Sequence, residues 1–240
     1  MNTMSASRAE ATQHTHRRIL VWDLPVRIFH WLLVLGFAGA FLTAESERWR
    51  LVHVTLGYTV AGLVAFRVLW GLVGTRHARF ASFVRSPKAV LRYLASLLGG
   101  RPEPYVGHNP AGALAIVALL ALALAVTSSG WATYSDMGGE WLEELHEGGA
   151  NAMLALVGVH IAAVVLSSLL HCENLVRAMV DGRKRGTPDD AIRSPRILLG
   201  VLLLAAVLGF WGLQWREAPV ADATVPAEAV KHDDRHSDDD

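Results

Sequence analysis

Apolar residues in this chain run in blocks rather than alternating. Five blocks stand out, over about residues 25–44, 51–73, 111–130, 149–170 and 196–215, with polar segments between them. Each approaches the roughly 20 residues that a helix needs to cross the hydrocarbon core of a bilayer. A backbone in lipid has to satisfy its own hydrogen bonds, so the pattern predicts five helices packed as a bundle. The expected fold class is all-α, an integral membrane helix bundle. The first 24 residues lack the basic-then-apolar layout of a cleaved signal, so the first span is expected to be retained.

The polar segments alternate in charge. Residues 1–27 carry four basic and two acidic residues, and 74–110 carries Arg76, Arg79, Arg85, Lys88, Arg92 and Arg101 against Glu103 alone. Residues 172–196 have six basic and four acidic residues, whereas 131–147 have five acidic and no basic ones, and 214–240 have eight acidic against three basic. Lys and Arg near span ends stay on the cytoplasmic side. The expected topology is therefore N-terminus cytoplasmic and C-terminus periplasmic, in a bacterial inner membrane. Within the long basic loop, "SPKAVLRYLASLL" (86–98) reads as an amphipathic helix with a Ser–Pro start, lying on the cytoplasmic membrane surface. The tail 216–240 reads as acidic and disordered. His232 and His236 there could bind metal weakly, but a solvated acidic end is the simpler reading.

Composition narrows the chemistry. The chain of 240 residues is 52% hydrophobic and 18% charged, in keeping with a membrane protein with modest loops. Its one cysteine, Cys172, permits neither an intrachain disulfide nor a thiolate cluster. No C-x-x-C-H occurs, which excludes the usual covalent haem attachment. No phosphate-binding glycine motif stands in a strand-to-helix context, and no nucleic-acid partner is expected.

The histidines carry more information. His146 and His160 share the fourth span, about 21 Å apart along its axis and nearly on one face. His53, at the outer end of the second span, is level with His146. His30 lies about 21 Å below the outer end of the first span, level with His160. Two pairs result, each bridging two helices, at two depths. Imidazole is the commonest neutral metal ligand, and facing helices of a bundle are a standard place to assemble a cofactor. One histidine on either side of a porphyrin gives a six-coordinate haem iron, which has no open position for substrate and favours electron transfer. Gly57 follows His53 by one turn on the same face, where a missing side chain lets a flat macrocycle approach.

Other residues read more simply. His77, His108 and His171 are expected at interfaces; His171 shares a face with His160 but lies about 16 Å further inward, beyond the reach of His30. Arg67 is the only basic residue well inside a span. It is level with the inner pair and could neutralise a haem propionate, or it could snorkel to the nearby interface. Arg27, one turn before His30, is a weaker candidate for the same role.

The stretches "VWDLPVRIFHWLL", "HVTLGYTVAGLVAFRVLWGLVGTRHARFASFVRSP", "YVGHNPAGAL" and "LHE…GVH…SLLHCENLVRAMVDGRK" resemble the bacterial cytochrome b561 family, which includes the cytochrome b subunits of nickel–iron hydrogenases. The resemblance covers about residues 18–185. It implies a four-helix di-haem b-type core, exchanging electrons with quinone or with a partner redox protein. The family's ligand pattern falls on His30, His53, His146 and His160. The fifth span and the acidic tail depart from the minimal family core.

The expected organisation is a cytoplasmic segment 1–24, a di-haem membrane domain 25–185, a linker and fifth transmembrane helix 186–215, and the tail 216–240. The expected function is electron transfer across the inner membrane by two non-covalent b-type haems, between the quinone pool and a partner such as a periplasmic c-type cytochrome. One alternative is the membrane anchor of a hydrogenase or related dehydrogenase complex. A non-redox membrane scaffold or transporter is the alternative from a different class. A quinone-linked oxidoreductase component and a passive electron carrier can share this core.

Overall fold

The computed structural model describes residues 17–99 and 103–217. The tail with His232 and His236, and the first 16 residues, lie outside them. Among the described residues, five helices are long and apolar enough to cross a membrane. They are α1 (Leu24–Thr43), α2 (Arg50–Val73), α5 (Pro110–Tyr134), α6 (Glu140–Leu170) and α8 (Ile197–Glu217), with a 3-10 turn at Glu47–Trp49 leading into α2. Short helices α3 (Phe80–Phe83), α4 (Pro87–Leu98) and α7 (Leu175–Asp181) lie between spans. The amphipathic helix expected at 86–98 is therefore present. The fourth span begins earlier than expected: its helix starts at Glu140, so much of the acidic segment 131–147 is helical.

Local chemistry sets the starts of these helices. Asp23 caps α1 by accepting from the Val26 amide at 2.9 Å, and Pro25 fills the first turn, where no intrahelical donor is needed. Asn109 caps α5 in the same way, accepting from Gly112 at 2.7 Å with Pro110 next in line. Hydroxyls inside the spans turn back on their own helix: Thr59 donates to the Thr55 carbonyl and Ser129 to that of Ala125. These two hydroxyl donors are thereby satisfied within an apolar medium.

The principal helix neighbours run in the order α6–α5–α2–α1–α8. One core joins all five, through Phe29, Leu32, Val60, Leu63, Leu120, Met153 and Val207. The fifth span is part of this packing. Gly200 lets α8 approach Leu24, whose Cγ would lie 2.6 Å from a Cβ there. Trp211 Nε1 donates to Thr59 Oγ1 at 2.9 Å. Outward-facing Leu35, Leu69, Leu72, Val159 and Leu198 are exposed, as side chains facing lipid are.

A polar cap closes the basic end. Strands β1 (Arg17–Leu20) and β2 (Arg183–Gly186) pair antiparallel, Arg17 opposite Gly186 and Leu20 opposite Arg183. Residues 17–22, grouped by their sequence with a polar N-terminal segment, thus become part of the fold. Ile19, Val21 and Trp22 are buried there against Ala178. The chain leaves α7 through Gly182 at φ 78°, a left-handed conformation that favours glycine. Lys184 is buried between Glu173 (3.6 Å) and the Tyr105 carbonyl (3.1 Å). Burial lowers its pKa and Glu173 raises it back in part.

Candidate functional site

The acidic end of the bundle brings His53 and His146 together. Their ring centres are 6.0 Å apart and the ring planes are nearly perpendicular. Each ring is oriented from behind by a different helix. His53 Nδ1 donates to the Ala40 carbonyl of α1 at 2.8 Å, and His146 Nδ1 to the Val126 carbonyl of α5 at 2.9 Å. A carbonyl can only accept, so both bonds put a proton on Nδ1, and in the neutral ring Nε2 then carries the free lone pair. Metal-ligating histidines are held in this way, the second nitrogen fixing tautomer and ring direction. All four helices of the predicted core contribute: α2 and α6 supply the rings, α1 and α5 the carbonyls.

Glycines shape this end. At Gly57 a Cβ would meet nothing within 4 Å, so the face of α2 one turn from His53 is open. Gly130 does the opposite. A Cβ there would lie 2.7 Å from Cε1 of His146, so the imidazole occupies the space that any other side chain would fill. Sequence reasoning did not single out Gly130; an isolated glycine inside a span is the signal that marks such a close approach.

Toward the basic end, His30 on α1 and His160 on α6 are both half-buried and within electrostatic range of one another. His30 Nδ1 is sealed from solvent without a partner among the described residues. Arg67 is buried, at 3% exposure. Its guanidinium lies over the rings of Phe80 (5.0 Å) and Phe83 (6.0 Å), and one of its terminal nitrogens has no acceptor among the described residues. Arg27 donates to the Val180 carbonyl of α7. His171 caps the end of α6 and bonds the Ser167 carbonyl at 3.0 Å.

Two residues that sequence reasoning placed at the interface or passed over lie against this inner region. His108 packs between Trp22 (4.4 Å between ring centres) and Phe83 (4.7 Å). Burial and then the Arg67 charge push its pKa down to about 3. Asp23 is wholly buried and accepts from Trp70 Nε1 (3.0 Å) and Thr75 Oγ1 (2.6 Å) as well as capping α1. The Asp23–Leu24–Pro25 run is a readable helix-start signal. Its cross-helix partners are not.

Among the described residues, no group of three or more His, Cys, Asp or Glu could hold a metal ion by itself. Pairs of imidazoles are too few for a bare ion, which takes about four ligands, but suffice for haem iron, whose macrocycle supplies the rest. Metal–imidazole bonds are about 2 Å long, and two rings with centres 6.0 Å apart leave room for one ion between them. The free Nε2 atoms and the open face at Gly57 fit a haem at the acidic end, and the unpaired Arg67 nitrogen fits a haem propionate at the basic end.

Comparison with known proteins bears on the family of the chain. A family model described as prokaryotic cytochrome b561 matches residues 21–182. The chain is similar to a probable Ni/Fe-hydrogenase B-type cytochrome subunit of Rhodobacter capsulatus, 25% identical over 222 residues, covering 72% of this chain and 84% of that one. It is likewise similar to the subunit of that name in Cupriavidus necator, 24% identical over 220 residues, with 72% and 90% covered. A probable Ni/Fe-hydrogenase 1 B-type cytochrome subunit of Escherichia coli is 27% identical over 143 residues, 48% of this chain and 60% of that one. No solved structure matches. With five membrane-crossing helices among its described residues and the family model spanning well over half of its length, this chain belongs to the prokaryotic cytochrome b561 family.

Proposed function

We propose that this membrane b-type cytochrome carries electrons on two haems as the membrane subunit of a nickel–iron hydrogenase, passing them to quinone. His53 and His146 hold the haem at the acidic end, and His30 and His160 the haem at the basic end. The observation that carries this reading is the His53–His146 pair, with ring centres 6.0 Å apart and both Nδ1 atoms tied back to carbonyls. The printed names of the relatives support the hydrogenase assignment. The basic charge of the loops supports a cytoplasmic basic end and a periplasmic acidic end.

When bound, each haem supplies a reversible one-electron couple. The protein does the rest. Two imidazoles per site leave no position for substrate. The carbonyls of Ala40 and Val126 hold the outer rings in one tautomer and increase their basicity as ligands. Arg67 offers the inner site a buried positive charge whose free nitrogen suits a propionate. Apolar packing around Phe29, Leu63 and Met153 keeps water from the interior.

A second reading, a periplasmic c-type cytochrome as the partner, is favoured by the acidic residues Asp136, Glu140, Glu143, Glu144 and Glu147 at that end, which suit a basic docking surface. The non-redox scaffold or transporter loses its ground once the chain is a member of a cytochrome family.

The test is a haem count joined to ligand variants. A pyridine haemochrome assay is expected to give two haems per chain, extractable into acid acetone. His53→Ala and His146→Ala should each remove one spectral component, and His30→Ala and His160→Ala the other, with His171→Ala sparing both. A count near one, or losses that do not group by pair, would remove the two-site assignment. Hydrogen-dependent reduction of the haems in membranes containing the hydrogenase, absent without it, would identify the partner.

A further inference from the structure

Two cavities meet at Arg85 on the basic end. The first, of about 240 Å³, is polar and lined by Arg76, Ser82, Arg85, Tyr105 and His108. The second, of about 310 Å³, is a groove between α4 and the start of α5, lined by Val84, Leu91, Ala113, Leu114 and Val117, again with Arg85. The arginine stands where a polar compartment passes into an apolar one.

Basic side chains outnumber acidic ones at the junction: Arg76 and Arg85 line the polar cavity with Asp190, and Glu103 accepts from Tyr105 of the lining at 2.9 Å. Between residues 74 and 99 there are five basic side chains and no acidic one. Asp190, the carboxylate at the polar cavity, already accepts from Thr187 at 2.8 Å and lies 3.6 Å from Arg76. Arg76 also donates to the Asp189 carbonyl. Arg85 is freer: it is exposed, and among the described residues its one hydrogen bond goes to the Ser82 carbonyl at 3.1 Å. The groove walls include Leu91 and Leu114, which are 67% and 57% exposed. They open toward lipid, on a helix whose amphipathic form suits the membrane surface.

The geometry points to a specific site for one anionic phospholipid, its phosphate on Arg85 and Arg76 and one acyl chain in the groove between α4 and α5. A ligand that fills both compartments needs a negative head joined to an apolar chain. Free phosphate lacks the chain. A quinone has the chain but no charge for the arginines. A zwitterionic lipid carries a cation that would face a cluster of arginines. Juxtamembrane basic side chains attract anionic lipid at close range by the same electrostatics. That the lipid comes from the cytoplasmic leaflet rests on the orientation proposed above, whereas the site itself does not.

The experiment is native mass spectrometry of the full chain in detergent, offered phosphatidylglycerol and phosphatidylcholine with the same acyl chains. The wild type should retain one phosphatidylglycerol in preference to phosphatidylcholine. Arg85→Gln should weaken the preference about five-fold, and Arg76→Gln with Arg85→Gln further, at about five-fold per arginine. Arg48→Gln, at the acidic end, should leave it unchanged. Arg85 is exposed and bonds a single carbonyl, so the variant is expected to fold, and circular dichroism checks that its helices remain. Equal retention of the two lipids by the wild type would overturn the site, leaving only a chain-lined annulus. An unchanged preference in Arg85→Gln would overturn it as well. So would displacement of the lipid by inorganic phosphate, or by a quinone in equimolar competition. The readout counts lipid rather than haem, so failure of the two-haem reading would leave this result standing.

Discussion

The imidazole of His146 fills the place of the missing side chain of Gly130. A Cβ on that glycine would lie 2.7 Å from Cε1 and 2.8 Å from Nδ1 of the ring, on the same helix whose Val126 carbonyl receives the Nδ1 proton. Gly130→Val is expected to push the ring off its seat and break that bond. The variant should lose the same spectral component as His146→Ala and keep the other. Difference spectra of the purified protein are the measurement; two unaltered components would mean that His146 does not need this seat.

Arg67 is a buried cation near the inner pair, and removing it changes the field there. A nearby positive charge favours the reduced, more negative state of a haem. Arg67→Leu is therefore expected to lower the potential of the inner haem, and to lower that of the outer haem less, because the distance is greater. Redox titration of the two proposed components is the measurement. Equal shifts, or none, would confine Arg67 to its packing over Phe80 and Phe83.

Asp23 ties the first span to the second at the basic end through Trp70 and Thr75, while capping its own helix. Asp23→Ala leaves three donors without their acceptor in a buried place. The loss of a helix cap and of hydrogen bonds to a charged group predicts a destabilisation of about 3 kcal/mol. The midpoint of chemical unfolding in detergent should fall accordingly. A shift no larger than that of an exposed substitution such as Arg48→Ala would contradict the role.

Acid should loosen the cap. Burial holds the pKa of His77 below its ordinary value and that of His108 at about 3. The unfolded chain binds protons on these rings below about pH 6.5, while the folded chain does not. Their contribution to stability is therefore complete above that pH and is lost as the pH falls toward the folded values. Between pH 7 and pH 5 the loss from His108 is expected to be about 1–2 kcal/mol. His108→Leu should flatten the dependence in thermal unfolding measured at both pH values; an unchanged slope would place its origin elsewhere.

Much of the membrane architecture is legible in residue order. Lipid offers no partner to a backbone group, so any segment that crosses it must be a long apolar helix, and five such segments can be read directly. Helical rise is constant, so positions along a span translate into depth, and His53 and His146 fall at one level before any packing is known. The Ser–Pro start and spacing of α4 are equally local.

Other features depend on the path of the chain. Nothing near His53 or His146 in sequence says that Ala40 and Val126 will offer them carbonyls, because a backbone acceptor looks the same at every position. Asp23 reads as a helix cap, but its bonds to Trp70 and Thr75 require the end of the second span to fold back onto the start of the first. Arg17–Leu20 has too few residues to show a strand's alternation, and its partner lies more than 160 residues away. The five spans follow from the solvent each segment must satisfy alone. The seating of the rings, the buried carboxylate and the two-stranded cap were decided by tertiary structure, because each is a contact between groups whose own surroundings in sequence are unremarkable.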